Sequence, residues 1–181
     1  MALSKREIFG EREFRSQATG RFAKDGENYH TIGQELELEV VPVKNFRIEV
    51  GSAFAAQDIP GVPGLEDLRL LAWQGASIDL RYRFLNRDSF GLTFAVESHL
   101  NCTSAAAVRN FATEFTLALD RELIPNYALA ALNLIYQPEW TRFFATGAAE
   151  QESTIGAALR AMVQMRPGIL FGSEARYLRR L

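Results

Sequence analysis

Apolar and polar residues alternate along most of this chain. Residues 35–40 read Glu-Leu-Glu-Leu-Glu-Val, residues 46–50 Phe-Arg-Ile-Glu-Val, and residues 78–84 Ile-Asp-Leu-Arg-Tyr-Arg-Phe. A β-strand points successive side chains to opposite faces, so a period of two gives each strand one apolar and one polar face. Following that register predicts nine strands, over 12–23, 29–41, 46–57, 74–86, 90–100, 109–121, 127–139, 152–165 and 168–179. One face collects Phe14, Leu38, Val50, Ile78, Tyr82, Phe94, Leu117, Leu134, Tyr136, Leu159 and Phe171. The other collects Glu35, Glu37, Glu39, Arg47, Glu49, Asp79, Arg81, Arg83, Glu97, Glu114, Arg160, Glu174 and Arg176.

The connections alternate in length. Pro42–Asn45, Arg87–Ser89, Glu122–Asn126 and Arg166-Pro167 are short and hold Pro and Asn, residues that favour turns. Between them lie longer links over about 58–73, 101–108 and 140–151, with a shorter one at Lys24–Asn28. Within the first long link, Leu65, Leu68, Leu71 and Trp73 are spaced for a short helix, or 68–73 extends the fourth strand. Short turns at one end and long loops at the other match the plan of bacterial outer-membrane barrels. The strands are also long enough to cross a bilayer when tilted, whereas ordinary strands run about five or six residues.

Periodicity alone does not say which face points inward. A soluble barrel turns its apolar set inward, and a membrane barrel turns it toward lipid. Aromatics near the strand ends (Phe46, Phe84, Phe90, Tyr127, Tyr136, Trp140) resemble interfacial girdles and favour the membrane arrangement. The expectation is an all-β, antiparallel up-and-down transmembrane β-barrel over 12–181, preceded by a flexible segment over 1–11. Outer-membrane barrels normally hold an even number of strands, so a count of nine predicts either the N-terminal part of a larger barrel or one strand misread from the alternation.

Composition narrows the function classes. Of the 181 residues, 48 % are hydrophobic and 23 % charged, which is not the signature of disorder. The formal net charge of -2 and the absence of a basic run argue against nucleic acid as a partner. No run of 18 apolar residues predicts a membrane-spanning helix. The opening Met1-Ala2-Leu3-Ser4-Lys5-Arg6-Glu7 lacks the apolar core of an export signal. The single cysteine, Cys102, excludes an internal disulfide and a cysteine metal cluster, and a lone Cys is usually inert.

The order Gly-Arg-Phe, Gln-Glu-Leu-Glu-Leu-Glu-Val and Asn-Phe-Arg-Ile-Glu-Val-Gly within 20–51 resembles a group of poorly characterised outer-membrane β-barrel proteins of alphaproteobacteria. So do Pro-Gly-Leu-Glu-Asp at 63–67, Glu-Leu-Ile-Pro-Asn at 122–126, Ala-Ala-Leu-Asn-Leu-Ile-Tyr at 130–136 and Glu-Ser-Thr-Ile-Gly at 152–156. The resemblance covers nearly the whole chain from about residue 10. Members typically carry a signal peptide and continue beyond the last strand seen here, and this sequence departs on both counts. The resemblance implies an outer-membrane location and a barrel fold; it implies no substrate and transfers no functional residues.

Candidate chemistry is sparse. Glu35, Glu37 and Glu39 share one strand face and read either as a cation-attracting patch or as acids paired with arginines on neighbouring strands such as Arg47. Arg47, Arg81, Arg83, Arg160 and Arg176 read either as a selectivity ladder or as members of a salt-bridge network. A Ser–His pair is the minimum for a hydrolase of this class, but Ser98 and His99 are adjacent on a strand and point to opposite faces. His30 is the only other histidine, and neither metal-ligand spacing nor a phosphate-binding glycine loop is present. The sequence therefore predicts an outer-membrane protein with no enzymatic activity and no cofactor. Its partners are membrane lipid and small solutes admitted passively. The competing class is a soluble lipocalin-like carrier with its apolar face wrapped around a ligand. A barrel of only eight to ten strands has an interior filled by side chains, so a pore requires further strands.

Overall fold

The computed structural model describes residues 10–22, 30–59, 68–85, 90–103, 108–125, 127–166 and 169–181. Nine strands follow one another: β1 (Arg12–Phe22), β2 (His30–Val43), β3 (Phe46–Ile59), β4 (Leu68–Leu85), β5 (Gly91–Thr103), β6 (Val108–Ile124), β7 (Ala128–Phe143), β8 (Ala149–Arg166) and β9 (Ile169–Arg180). Each pairs antiparallel with the next, giving one meander in sequence order. No pairing joins β1 to β9 among the described residues, so the nine strands form an open antiparallel sheet with two edges and do not close into a barrel by themselves. As odd-numbered strands of a meander, β1 and β9 run in the same direction.

Several strands are longer than the alternation suggests. β4 starts at Leu68, so of the two readings of 68–73 the strand extension is correct. β7 reaches Phe143 and β8 starts at Ala149, which shrinks the expected link at 140–151 to five residues. β5 and β6 likewise consume half of 101–108. β3 takes residues 58 and 59, and residues 60–67, the link Lys24–Asn28 and most of segment 1–11 lie outside the described residues.

The tight end of the sheet has a common construction. β2 and β3 are joined by Lys44 and Asn45 alone, and Asn45 takes φ 67°. Asn tolerates this left-handed region better than most residues, because its short polar side chain bonds locally. All four short hairpins carry a register shift just before the turn, at Val40/Val43, Arg83/Leu85, Glu122/Ile124 and Gln164/Arg166. A bulge adds right-handed twist and bends its strand, which curls the sheet at its rim.

The strands are also staggered in one sense. The cross-strand row starting at Arg12 passes through Val40, Ile48, Leu80, Val96, Phe115, Tyr136 and Ile155 and ends at Arg179. The last residues of β9 are thus level with the first of β1. Such a progressive shift is the shear that coils a sheet about an axis. Its result is a concave face to which all nine strands contribute residues.

Among the described residues an apolar core is almost missing. The buried hydrophobic ones are Val41, Ala55, Ala112, Ile135 and Ala158, and of these described residues Val41 is the largest fully buried side chain. The sheet is held by its backbone ladders and by cross-strand side-chain pairs. On the convex face these include Phe115–Tyr136, with ring centroids 6.1 Å apart, and Phe111–Trp140 at 5.8 Å.

Candidate functional site

The two faces differ in both chemistry and exposure. The convex face displays Phe14, Leu134, Leu159, Phe171 and Tyr177, all exposed, with Leu159 at 58 % and Phe171 at 70 %. The concave face surrounds a cavity of about 970 Å³. It carries most of the charge, and Asp79 and Arg83 are each only 7 % exposed there.

Of the acidic and basic residues that the alternation assigns to the polar face, Glu39, Arg47, Glu49, Asp79, Arg81 and Arg83 line this cavity. Glu97, Glu114, Arg160, Glu174 and Arg176 line it as well. Glu35 and Glu37 share their register but lie farther along β2 and do not line it. Glu37 instead pairs with Arg15 at 2.7 Å, while Glu35 stands in register between Gln17 and Ala53.

The strand registers place Glu13, Glu39, Glu49, Asp79, Glu97 and Glu114 directly opposite one another across β1 to β6. Like charges directly opposite are destabilising. The neighbouring rows supply the compensation, because each carboxylate of this row meets a donor two residues along a strand or diagonally across one. Arg15 reaches Glu13 at 3.6 Å. Arg47 lies between Glu39 at 3.1 Å, Glu49 at 3.8 Å and Asp79 at 3.3 Å. Arg81 donates to Asp79 at 2.8 Å, His99 meets Glu97 at 2.8 Å and Thr116 donates to Glu114 at 2.9 Å. The reading of the acids as partners of neighbouring arginines therefore describes Glu37 and Glu39. Asp79 Oδ1 and the Nε atoms of Arg47, Arg81 and Arg83 are buried without a protein hydrogen bond.

The arginines form no continuous ladder. Arg47 and Arg81 are directly opposite, but Arg83 faces Thr93, and Arg160 and Arg176 converge on Glu174 from β8 and from β9 itself. Ser98 and His99 are not brought together. The Ser98 hydroxyl pairs with Thr113 at 3.1 Å on the convex side, while His99 joins Glu97 on the concave side. Among the described residues no group of His, Cys, Asp and Glu side chains is arranged to hold a metal ion. No helix there is long and apolar enough to cross a membrane, which bears only on helical spans.

Some concave residues escape the sequence reading. Asn110 donates to Glu139 and, at 3.0 Å, to Thr141, and Glu139 lies beyond Pro138, which breaks the ladder between β6 and β7. Extending the period of two through Pro138 would have found it. Of the aromatics expected at strand ends, Phe46 meets Tyr82 near the short-turn end and Trp140 stacks on Phe111 near the other. Tyr136 sits in the middle of β7, opposite Phe115 and Ile155. Comparison with known proteins brings no likeness to this chain: no family model, curated protein or solved structure matches it.

Proposed function

We propose that this chain is an outer-membrane β-barrel protein whose convex face meets lipid and whose charged concave face lines a water-filled lumen for the passive passage of small solutes. The observation that carries this reading is the direction of the two faces. Burying apolar surface is the main favourable term in folding. A sheet that leaves Phe14, Leu159, Phe171 and Tyr177 outside gains little of it in water. The accessible surface, 12407 Å², exceeds by about 40 % the roughly 8,800 Å² of a folded soluble monomer of 20.3 kDa. A lipid environment covers the convex side, and the ion pairs of the concave side remain in contact with water.

Lipid also demands that strand edges be paired. The reading therefore requires further strands against β1 and β9, and these would widen the lumen beyond the side-chain-filled interior of a small barrel. A lipocalin-like carrier of an apolar ligand is favoured by none of these observations, because such a carrier lines its cavity with the apolar set. The deciding experiment is refolding of the purified chain into detergent micelles, followed by gel migration with and without boiling. Heat-dependent mobility, with β-type circular dichroism only in detergent, is the expected result where the edges of β1 and β9 find strands to pair with, and aggregation with and without detergent is the result where they do not. A monomeric β-protein that remains soluble without detergent overturns the proposal.

A further inference from the structure

Arg109 on β6 and Arg142 on β7 are directly opposite in the register, and both are exposed. They fall on the convex face, two residues beyond Phe111 and Trp140, whose rings stack at 5.8 Å on that same face. Both guanidinium groups lie over the ring of Phe144, at 5.3 and 5.7 Å from its centroid. One aromatic side chain thus gathers two cations that strand pairing already holds side by side.

The concave face shows how this fold handles the same arrangement elsewhere. Arg47 and Arg81 are also directly opposite, and the Asp79 carboxylate sits between them at 3.3 and 2.8 Å. Arg109 and Arg142 have no carboxylate within ion-pair distance among the described residues. Their cross-strand neighbours on either side are Cys102 and Ala149, neither of which carries negative charge. The pair therefore offers a converging set of donors with an unmatched positive charge, at the position where an aromatic pair gives way to the rim.

We propose that Arg109 and Arg142 hold the phosphate of a lipid headgroup against the outside of the sheet. Guanidinium groups match phosphate oxygens with paired, charge-assisted hydrogen bonds. The aromatic residues below them contact the acyl region, and Phe144 presets both arginines. A headgroup phosphate takes the place that Asp79 has between Arg47 and Arg81. This rests on the membrane reading given above and adds a ligand class to its convex face.

The test uses the full chain refolded into micelles of a neutral detergent. Heat-dependent gel mobility of that sample judges the membrane reading by itself. Phosphatidic acid and phosphatidylcholine of equal chain length are then added, and bound lipids are counted by native mass spectrometry. Wild type is expected to retain phosphatidic acid at least about tenfold better than R109Q/R142Q, the effect of losing one hydrogen bond to a charged group. The control R121Q removes an exposed arginine at the opposite end and is expected to bind as wild type does. Equal retention by wild type and R109Q/R142Q, with both folded, overturns the headgroup site and leaves the membrane reading intact. Displacement of the lipid by equimolar inorganic phosphate overturns the assignment to a lipid. A wild type that stays soluble without detergent and does not refold into micelles overturns both.

Discussion

Asp79→Ala is the most informative change on the concave face. Asp79 Oδ2 accepts from Arg47 at 3.3 Å and from Arg81 at 2.8 Å, and the Asp79 side chain is 8 % exposed. Removing it leaves two cations directly opposite each other. Arg47 keeps Glu39 at 3.1 Å, so its loss is partial. Arg81 keeps no other ion-pair partner among the described residues, and its side chain is 21 % exposed. Breaking a fully buried pair costs about 3–5 kcal/mol and a surface pair about 0–1 kcal/mol. The intermediate burial here places the expected loss near 2–3 kcal/mol. With a urea dependence of about 2 kcal/mol per molar, the unfolding midpoint falls by about 1–1.5 M. The assay is urea titration of micelle-folded protein, followed by tryptophan emission. Asp79→Ala combined with Arg81→Ala is expected to recover about half of the loss, since no unpaired guanidinium then remains. A single-variant loss below about 0.5 kcal/mol, or a double variant no better than the single, would show that water screens the network and refute the argument.

Three other measurements probe the rest of the sheet. Leu134→Arg places a charge in the middle of the convex face, where a lipid contact makes it cost about 2–4 kcal/mol of folding into vesicles and a water contact almost nothing. Trp73 and Trp140 are both on the convex side and each 41 % exposed, so their emission should be quenched by lipids brominated on the acyl chain. Unquenched emission in reconstituted protein would place that side in water. Gly156 faces β9 so closely that a Cβ there would overlap the Tyr177 carbonyl oxygen and the Leu178 side chain. Gly156→Val should therefore loosen β9 selectively, read as faster amide exchange in β9 than in β2 to β5.

Much of this architecture is legible in the sequence because a strand's period of two is unambiguous wherever charged and aliphatic residues take turns. Glu35 to Val50 fixes both the strands and the faces of β2 and β3, and the structure pairs Val40 with Ile48 and Glu39 with Glu49 accordingly. Strand ends are harder. Ala149, Glu150 and Gln151 carry no alternation, yet they pair with Arg142, Thr141 and Trp140, because a ladder continues through any residue that an existing neighbour can hydrogen-bond. The row of carboxylates from Glu13 to Glu114 is invisible for a different reason. Its members belong to separate strands, and only the registers, shifted by bulges, bring them into line. The pairing of Arg109 with Arg142 is hidden in the same way.

The parallel direction of the two edge strands has a consequence for assembly. An antiparallel seam needs neighbours that run in opposite senses, so β9 cannot meet β1 in the manner by which every other pair in this sheet is made. A segment that bridges the gap with antiparallel ladders must contribute an odd number of strands, whichever molecule supplies it, and a direct seam has to be parallel. The stagger adds a second condition, because Arg179 is already level with Arg12, and a joining strand must span that offset to pair along both edges at once. Parity and offset together define the shape that any piece completing this sheet would need.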